Sequence, residues 1–177
     1  MSFHDFFNTF TKDSAIILSK EGEIMNKANQ IYKKYVENEV SIIENHEYQL
    51  LNKDKIEIKV LAFLSELGKL SEESECFNFW ERNILIKKEN VLEAYLDALH
   101  LLLSIGYELH VDSIKNYNEL AITKSITDLF FKVYEDVLKI RTTFQFEDYQ
   151  NCIDDYFSLG FHLGLDFDEI LENYLKR

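Results

Sequence analysis

Four carboxylates near the middle of the sequence have the spacing that chemistry at a bound divalent cation would need. Glu66 and Glu73 lie seven residues apart, and Glu93 and Asp97 lie four residues apart. Residues at these separations share one face of a helix, so each pair predicts a helix that presents two carboxylates together. Mg²⁺ prefers carboxylate oxygens, so carboxylates that converge from two helices could hold it. Such a site could activate a water for the hydrolysis of a phosphoanhydride.

Asp97 is the most informative of these residues, because the helix predicted around it is strongly apolar. A charged carboxylate in such surroundings is costly unless it is paired with a cation or bound to a metal. A second interpretation stays open, in which Glu66 and Asp97 belong to buried ion pairs or to solvated helix edges. His100, one turn beyond Asp97, could hydrogen-bond it or could be a buried structural histidine.

The elements that must position these residues are predicted to be helices. The sequence has no proline and only five glycines, and 46% of its 177 residues are hydrophobic. Few breakers and abundant Leu, Ile, Lys and Glu favour an all-α antiparallel helical bundle, formed by a single domain over residues 1–177. Apolar residues recur at helical spacing, which predicts helices over about 22–45, 54–74, 90–109, 119–140, 146–160 and 167–176.

Four finer features are also predicted from the sequence. Residues 44–53 are predicted to be a loop, and residues 76–90 are predicted to be irregular. Asp166 and Glu169 predict a capping box at the start of the last helix. Ser104-Ile-Gly106 predicts a point where two helices approach closely, because small residues permit it.

Charge and composition exclude several classes of function. A formal charge of −13 argues against a nucleic-acid-binding surface, although Mg²⁺ could still bridge acidic groups to a nucleotide. Cys76 and Cys152 have no metal-ligand spacing and are predicted to be free thiols of a cytoplasmic protein. The N-terminus lacks the features of a signal peptide, and the longest apolar run, 98–105, is too short to span a bilayer.

Three segments together resemble the all-α dimeric dUTP pyrophosphatases, relatives of the MazG-type enzymes. The similarity covers residues 55–110 well and continues more loosely over 149–175. It implies hydrolysis of dUTP to dUMP with Mg²⁺ held by an ExxE motif on one helix and an ExxD motif on the next. The aromatic loop would place Phe77, Phe79 and Trp80 against the base, although such residues also pack in loops. The segments are Glu66-Leu-Gly-Lys-Leu, Cys76-Phe-Asn-Phe-Trp80 and Glu93-Ala-Tyr-Leu-Asp97-Ala-Leu-His100.

The chain departs from the pattern of this family at several positions. Glu66 begins the ExxE motif, but Lys69 stands at its second glutamate. Asp97 ends the ExxD motif, but Ala94 stands at its glutamate. The loop carries Glu75 and Asn78 where the family is commonly basic, and the chain stops at Arg177 where the family extends into a Lys-Asn and Arg-rich tail.

These departures leave two hypotheses. Lys69 can pair with Glu66 and Glu73 and so place a fixed cation where a metal would otherwise be needed. The first hypothesis is therefore a weakly active or non-catalytic relative with a nucleotide-binding or regulatory role. The alternative is an active dUTP or nucleotide pyrophosphohydrolase in which Glu73 and Glu93 replace the missing metal ligands. A homodimer is expected in either case, because the related enzymes are dimeric and the third helix is too apolar for a small exposed face.

Overall fold

The computed structural model describes residues 21–39, 52–78, 86–115 and 125–177, and these residues form helices with no strand among them. The all-α fold expected from the sequence is thereby confirmed, whereas the number of domains stays a prediction. In chain order the helices are α1 over 21–39, α2 Asn52–Glu73, α3 Lys88–Glu108, α4 Ile126–Thr143, α5 Phe146–His162 and α6 Phe167–Leu175.

Helix α3 lies at the centre of the described bundle. It packs along α2 over most of its length and also contacts α5 and α6, while α4 packs along α5 and touches α2. Its apolar residues are therefore covered on several sides, and Tyr95, Leu99 and Leu102 are fully buried. The central position of α3 follows from its apolar surface, which needs partners all round.

Close contacts between α3 and α5 depend on two glycines. A Cβ atom on Gly106 would lie 2.4 Å from the hydroxyl oxygen of Tyr149, and one on Gly160 would lie 2.8 Å from the ring of Tyr95. Both distances are shorter than a carbon atom tolerates, so a side chain at either position would force the helices apart. The close approach predicted at Ser104-Ile-Gly106 is thus present.

The ends of several helices differ from the sequence prediction. Ser125 has an extended backbone and forms a reciprocal capping box with Asp128, so α4 begins at Ile126, and residues 119–124 of the predicted helix lie outside the described residues. The helix continues to Thr143 and ends because Phe144 adopts the left-handed conformation, with φ at 54°. Helix α3 begins at Lys88, inside the segment predicted to be irregular. Residues 44–51 of the predicted loop lie outside the described residues, and so does the end predicted for α1. The last two residues of the predicted loop belong to α2, which begins at Asn52.

The cap of α6 also differs in detail. The Asp166 carboxylate accepts a hydrogen bond from the backbone N–H of Asp168 at 2.7 Å. Glu169 forms an ion pair with Lys88 at 2.7 Å instead of closing the expected box with Asp166. The cap therefore satisfies one terminal N–H, and Glu169 ties α6 to the start of α3.

Candidate functional site

Lys69 joins the carboxylates of two helices. Its ammonium Nζ lies 3.6 Å from Glu66 Oε2 on α2 and 3.3 Å from Asp97 Oδ2 on α3. The two residues on α2 are three apart and share a face, and the packing of α2 along α3 brings Asp97 to the same place. The ammonium therefore interacts with both carboxylates that the sequence places in the two motifs.

Arg177 supplies a second cation to Asp97. Its guanidinium Nη1 lies 2.8 Å from Asp97 Oδ1, and its Nη2 donates to the backbone carbonyl of Glu93 at 3.4 Å. Each carboxylate oxygen of Asp97 thus faces a different cation. Residue spacing does not identify Arg177 as a site residue, because Arg177 lies 80 residues after Asp97 along the chain. Glu66, Lys69, Asp97 and Arg177 are called the charged cluster below.

The charged cluster lies at the edge of the core and is partly open to solvent. The side chain of Asp97 is 33% exposed and that of Lys69 is 49% exposed. The hydrogen bond to Asp97, together with the nearby charge of Glu66, raises the pKa of Lys69 above its ordinary value, so the ammonium stays charged. Glu66 Oε2 is buried and accepts no hydrogen bond from the described residues. A buried carboxylate oxygen in that position favours a nearby cation, and Lys69 is that cation.

Glu73 and Glu93 do not join the charged cluster through their carboxylates. Glu73 Oε2 accepts a hydrogen bond from Asn90 Nδ2 at 3.0 Å, and Glu93 contributes its backbone carbonyl while its side chain is exposed. The predicted pairing of Lys69 with Glu73 is therefore wrong. Lys69 turns to Asp97 because α3 offers a carboxylate across the helix interface, which a single-helix argument does not reveal.

The residues of the charged cluster do not fit a resident Mg²⁺ ion. Only Glu66 and Asp97 converge, and the ammonium of Lys69 lies between them. Ala94, one turn before Asp97, is 1% exposed and belongs to the hydrophobic core, so it offers no ligand atom. Within the described ranges, no three His, Cys, Asp or Glu side chains gather in a way that could hold a metal.

The loop after α2 is described only in part. Glu75 has a left-handed backbone with φ at 53°, and its Oε2 atom is buried without a hydrogen-bond partner among the described residues. The backbone N–H of Asn78 donates to the Glu75 carbonyl at 3.1 Å, and Phe77 is 45% exposed. Phe79 and Trp80 lie outside the described residues, so the role of the loop in binding a base stays a prediction.

His100 connects α3 to α6 and does not bond Asp97. Its Nδ1 atom lies 3.2 Å from the hydroxyl oxygen of Tyr174, whose side chain is buried. Desolvation lowers the pKa of His100, so the neutral imidazole is favoured. Neither role considered from the sequence is the one observed, because His100 is exposed and its hydrogen-bond partner comes from the last helix.

The similarity of the chain to known proteins indicates its class. A family model described as dUTPase matches residues 27–177, a range that includes α2 to α6 and the whole charged cluster. Neither the curated proteins nor the solved structures include a significant match to the chain. Among the described helices, none combines the length and the apolar character needed to cross a membrane.

Proposed function

The chain belongs to the dUTPase family of all-α dimeric enzymes, and from this premise we propose that it binds dUTP or a related nucleotide on the α2–α3 face with weak or no hydrolysis. The family match supports a dUTP diphosphatase-like protein. The observation that carries the finer proposal is the contact of Lys69 with both Glu66 and Asp97. A cation of the protein itself thus stands where the family pattern has a metal ligand.

The chemistry of lysine explains why we expect hydrolysis to be weak. An ammonium can neutralise the charge of a carboxylate or a phosphate, but it cannot generate the metal-bound hydroxide that attacks a phosphoanhydride. The charged cluster also has two acidic and two basic side chains, so it offers a triphosphate no net positive charge. Affinity for a nucleotide would then come mainly from contacts with the base and the sugar.

An active enzyme with relocated ligands is the second candidate, and one observation favours it. Glu66 Oε2 is buried, and the Lys69 ammonium lies 3.6 Å from it, which is beyond hydrogen-bond distance, so this oxygen keeps its capacity to bind a metal directly. Glu73 and Glu93 lie on the same two helices and could turn toward it. This candidate requires Lys69 to leave its present contacts when a metal binds.

Two measurements on the unmodified protein separate the candidates. The first is pyrophosphate release from dUTP in the presence of Mg²⁺, and the second is calorimetric binding of a non-hydrolysable dUTP analogue with and without Mg²⁺. We expect measurable binding and turnover far below the roughly 10 s⁻¹ that is typical of enzymes. Turnover near that value would establish the active candidate, and no binding under any condition would overturn both.

A charge reversal at Lys69 tests the role of that residue directly. Lys69→Glu would restore a third carboxylate, and we expect it to tighten Mg²⁺ binding by about ten-fold or more, since Mg²⁺ affinity rises with the number of carboxylates. The matched control is Lys55→Glu, which makes the same charge change about four turns away on α2. Equal effects in the two variants would show that Lys69 does not occupy a cation site. Ala94 is left unchanged, because a glutamate there would enter the core.

We also propose a homodimer, which the family supports and which an apolar groove between α2 and α4 supports independently. Ile58 and Leu61 on α2 and Leu138 on α4 line this groove and are 57%, 70% and 44% exposed. The reason given from the sequence was wrong, because the apolar residues of α3 are mostly buried within the protomer. Light scattering should show a dimer that Leu61→Glu converts to monomer, whereas Ile86→Glu, at another exposed apolar residue, should leave the dimer intact.

The cellular location and further partners stay proposals. Cys76 and Cys152 are both free, which supports a reducing compartment such as the cytoplasm. The net charge of −13 supports a small-molecule ligand over a nucleic acid.

A further inference from the structure

Two buried carboxylates meet where α4 packs along α5. Asp136 on α4 and Asp155 on α5 are both almost completely buried. Lys132, one turn before Asp136 on α4, forms an ion pair with each of them. Two negative charges therefore share one positive charge, in a part of the fold that belongs neither to the charged cluster nor to the apolar groove. Asp136 and Asp155 are called the carboxyl pair below.

One lysine does not satisfy both members of the carboxyl pair. Lys132 Nζ donates a short hydrogen bond to Asp136 Oδ1, whereas it lies 3.4 Å from Asp155 Oδ2. Asp136 Oδ2 is buried, and no N–H or hydroxyl group of the described residues donates to it. When both carboxyl groups are ionised, the second negative charge has neither water nor a cation of its own to stabilise it, which is costly in a protein interior.

A single proton removes the excess charge and supplies the missing donor. Placed on Asp155, it forms an O–H group that donates to Asp136 Oδ2, and the carboxyl pair then carries one negative charge, which Lys132 balances. Burial, and next the hydrogen bond with Asp136, raise the pKa of Asp155 above the ordinary 3.8, in agreement with this arrangement. Adjacent carboxylates in a dry site commonly hold one proton between them, because the two cannot both ionise without a large penalty.

We propose that Asp136 and Asp155 share one proton, and that this proton is a pH-sensitive clasp between α4 and α5. In acid, the O–H group of Asp155 joins the two helices through Asp136. As the pH rises the proton passes to the solvent, and the hydrogen bond is replaced by two like charges across the helix interface with Lys132 as their shared cation. Attraction between the two side chains thereby becomes repulsion, so α4 and α5 should separate more readily at neutral pH than in acid.

The other titratable groups beside the clasp are Asp154 and Cys152, both on α5. Burial raises the pKa of Asp154 to about 7, so its charge changes in a similar pH range and it must be separated from the clasp. Burial also raises the pKa of Cys152 well above its ordinary value, so this thiol stays neutral. From α4, the charges that act on Asp155 are those of Asp136 and Lys132.

Carbon-13 NMR of the aspartate carboxyl groups between pH 4 and pH 8 tests the shared proton residue by residue. In the unmodified protein we expect Asp155 to titrate about two pH units above an ordinary aspartate. Asp136→Asn leaves Lys132 with one carboxylate and offers an amide N–H in place of the proton, so Asp155 should then titrate at or below the ordinary value. An unchanged titration of Asp155 in Asp136→Asn would overturn the proposal, as would ordinary titration of Asp155 in the unmodified protein.

Two lysines of α4 provide matched variants for the role of the cation. Lys132→Gln removes the charge that balances the carboxyl pair, so Asp155 should titrate at least about one pH unit higher than in the unmodified protein. Lys139→Gln makes the same change two turns further along α4, where Lys139 pairs with Asp148 at 2.6 Å, and should leave the titration of Asp155 nearly unchanged. Equal shifts in the two variants would reveal an effect of overall charge and overturn the balance assigned to Lys132.

Amide hydrogen exchange measures whether the proton holds the two helices together. After correction for the intrinsic effect of pH on exchange, peptides of α4 and α5 should lose about ten-fold in protection between pH 5 and pH 7.5, relative to peptides of α2 and α3. In Asp155→Asn an amide N–H donates to Asp136 at every pH, so this loss should disappear. Asp154→Asn is the adjacent control and should retain it. No loss in the unmodified protein, or a loss that Asp154→Asn abolishes and Asp155→Asn does not, would overturn the clasp.

Discussion

Replacing Asp155 by asparagine is expected to stabilise the protein at neutral pH and to have little effect in acid. Asp155 on α5 faces Asp136 on α4, and the two residues are only 5% and 6% exposed. Lys132 forms ion pairs with both carboxylates, at 3.4 Å to Asp155 Oδ2. One cation thus serves two buried carboxylates, and Asp136 Oδ2 accepts no hydrogen bond from the described residues.

The magnitude follows from the pKa of Asp155. Burial, and next the hydrogen bond with Asp136, raise the pKa of Asp155 from the ordinary 3.8 to about 6. The folded protein therefore binds this proton more tightly than the unfolded chain does, so the free energy of unfolding falls as the pH rises from about 4 to about 6 and stays lower above that. Two pKa units correspond to about 3 kcal/mol at most, and this net value already includes the attraction of Lys132. We expect Asp155→Asn to raise the free energy of unfolding by about 1–3 kcal/mol at pH 7.5 and to leave it nearly unchanged near pH 4.

Urea unfolding followed by circular dichroism at several pH values between 4 and 7.5 measures this difference. Taking the difference between the variant and the unmodified protein cancels the carboxylates that do not interact with Asp155, whereas Asp136 and Asp154, which do interact with it, contribute to the difference. The control is Glu135→Gln, which removes one negative charge from an exposed position on α4 and should shift stability by less than about 0.5 kcal/mol at every pH. A gain for Asp155→Asn that does not change with pH would refute the reasoning.

Three further variants test the packing and the caps. Gly106→Ala places a Cβ 2.4 Å from the Tyr149 hydroxyl and should cost about 1–3 kcal/mol in thermal or urea unfolding, unless the helices can separate freely. Tyr156→Phe removes a buried hydrogen bond of 2.7 Å to a backbone carbonyl of α3 and should cost about 1–3 kcal/mol by the same measurement. Ser125→Ala removes the capping box of α4 and should cost about 1 kcal/mol; an unchanged free energy of unfolding would mean that the box contributes nothing.

The sequence was a good guide to the helices and to part of the charged cluster. Helical spacing of apolar residues reports which face is buried, so α2 and α3 could be predicted to within a few residues of Asn52–Glu73 and Lys88–Glu108. The contact of Glu66 with Lys69 also follows from a separation of three residues on one helix. Contacts between residues of the same helix can thus be predicted from their separation along the sequence.

Contacts between elements were less accessible. The contact of Lys69 with Asp97 depends on the register of α2 against α3, and that of Arg177 depends on how α6 crosses α3. The spacing of charges along one helix does not determine its register against another, since many alignments of two amphipathic helices bury a similar apolar area. The same reason explains the wrong argument for the dimer, because an apolar helix does not reveal whether its own chain or a second copy covers it.

The charges of the cluster show why the two departures from the family motifs belong together. The ExxE and ExxD pattern places four negative charges side by side, which a folded protein tolerates when divalent cations balance them. Lysine at position 69 and alanine at position 94 remove two of these charges and add a positive one, so a single negative charge remains. Arg177 on Asp97 cancels it. The four charges of the cluster are consequently balanced by its own side chains, because each carboxylate has a cation of the same chain within 3.6 Å.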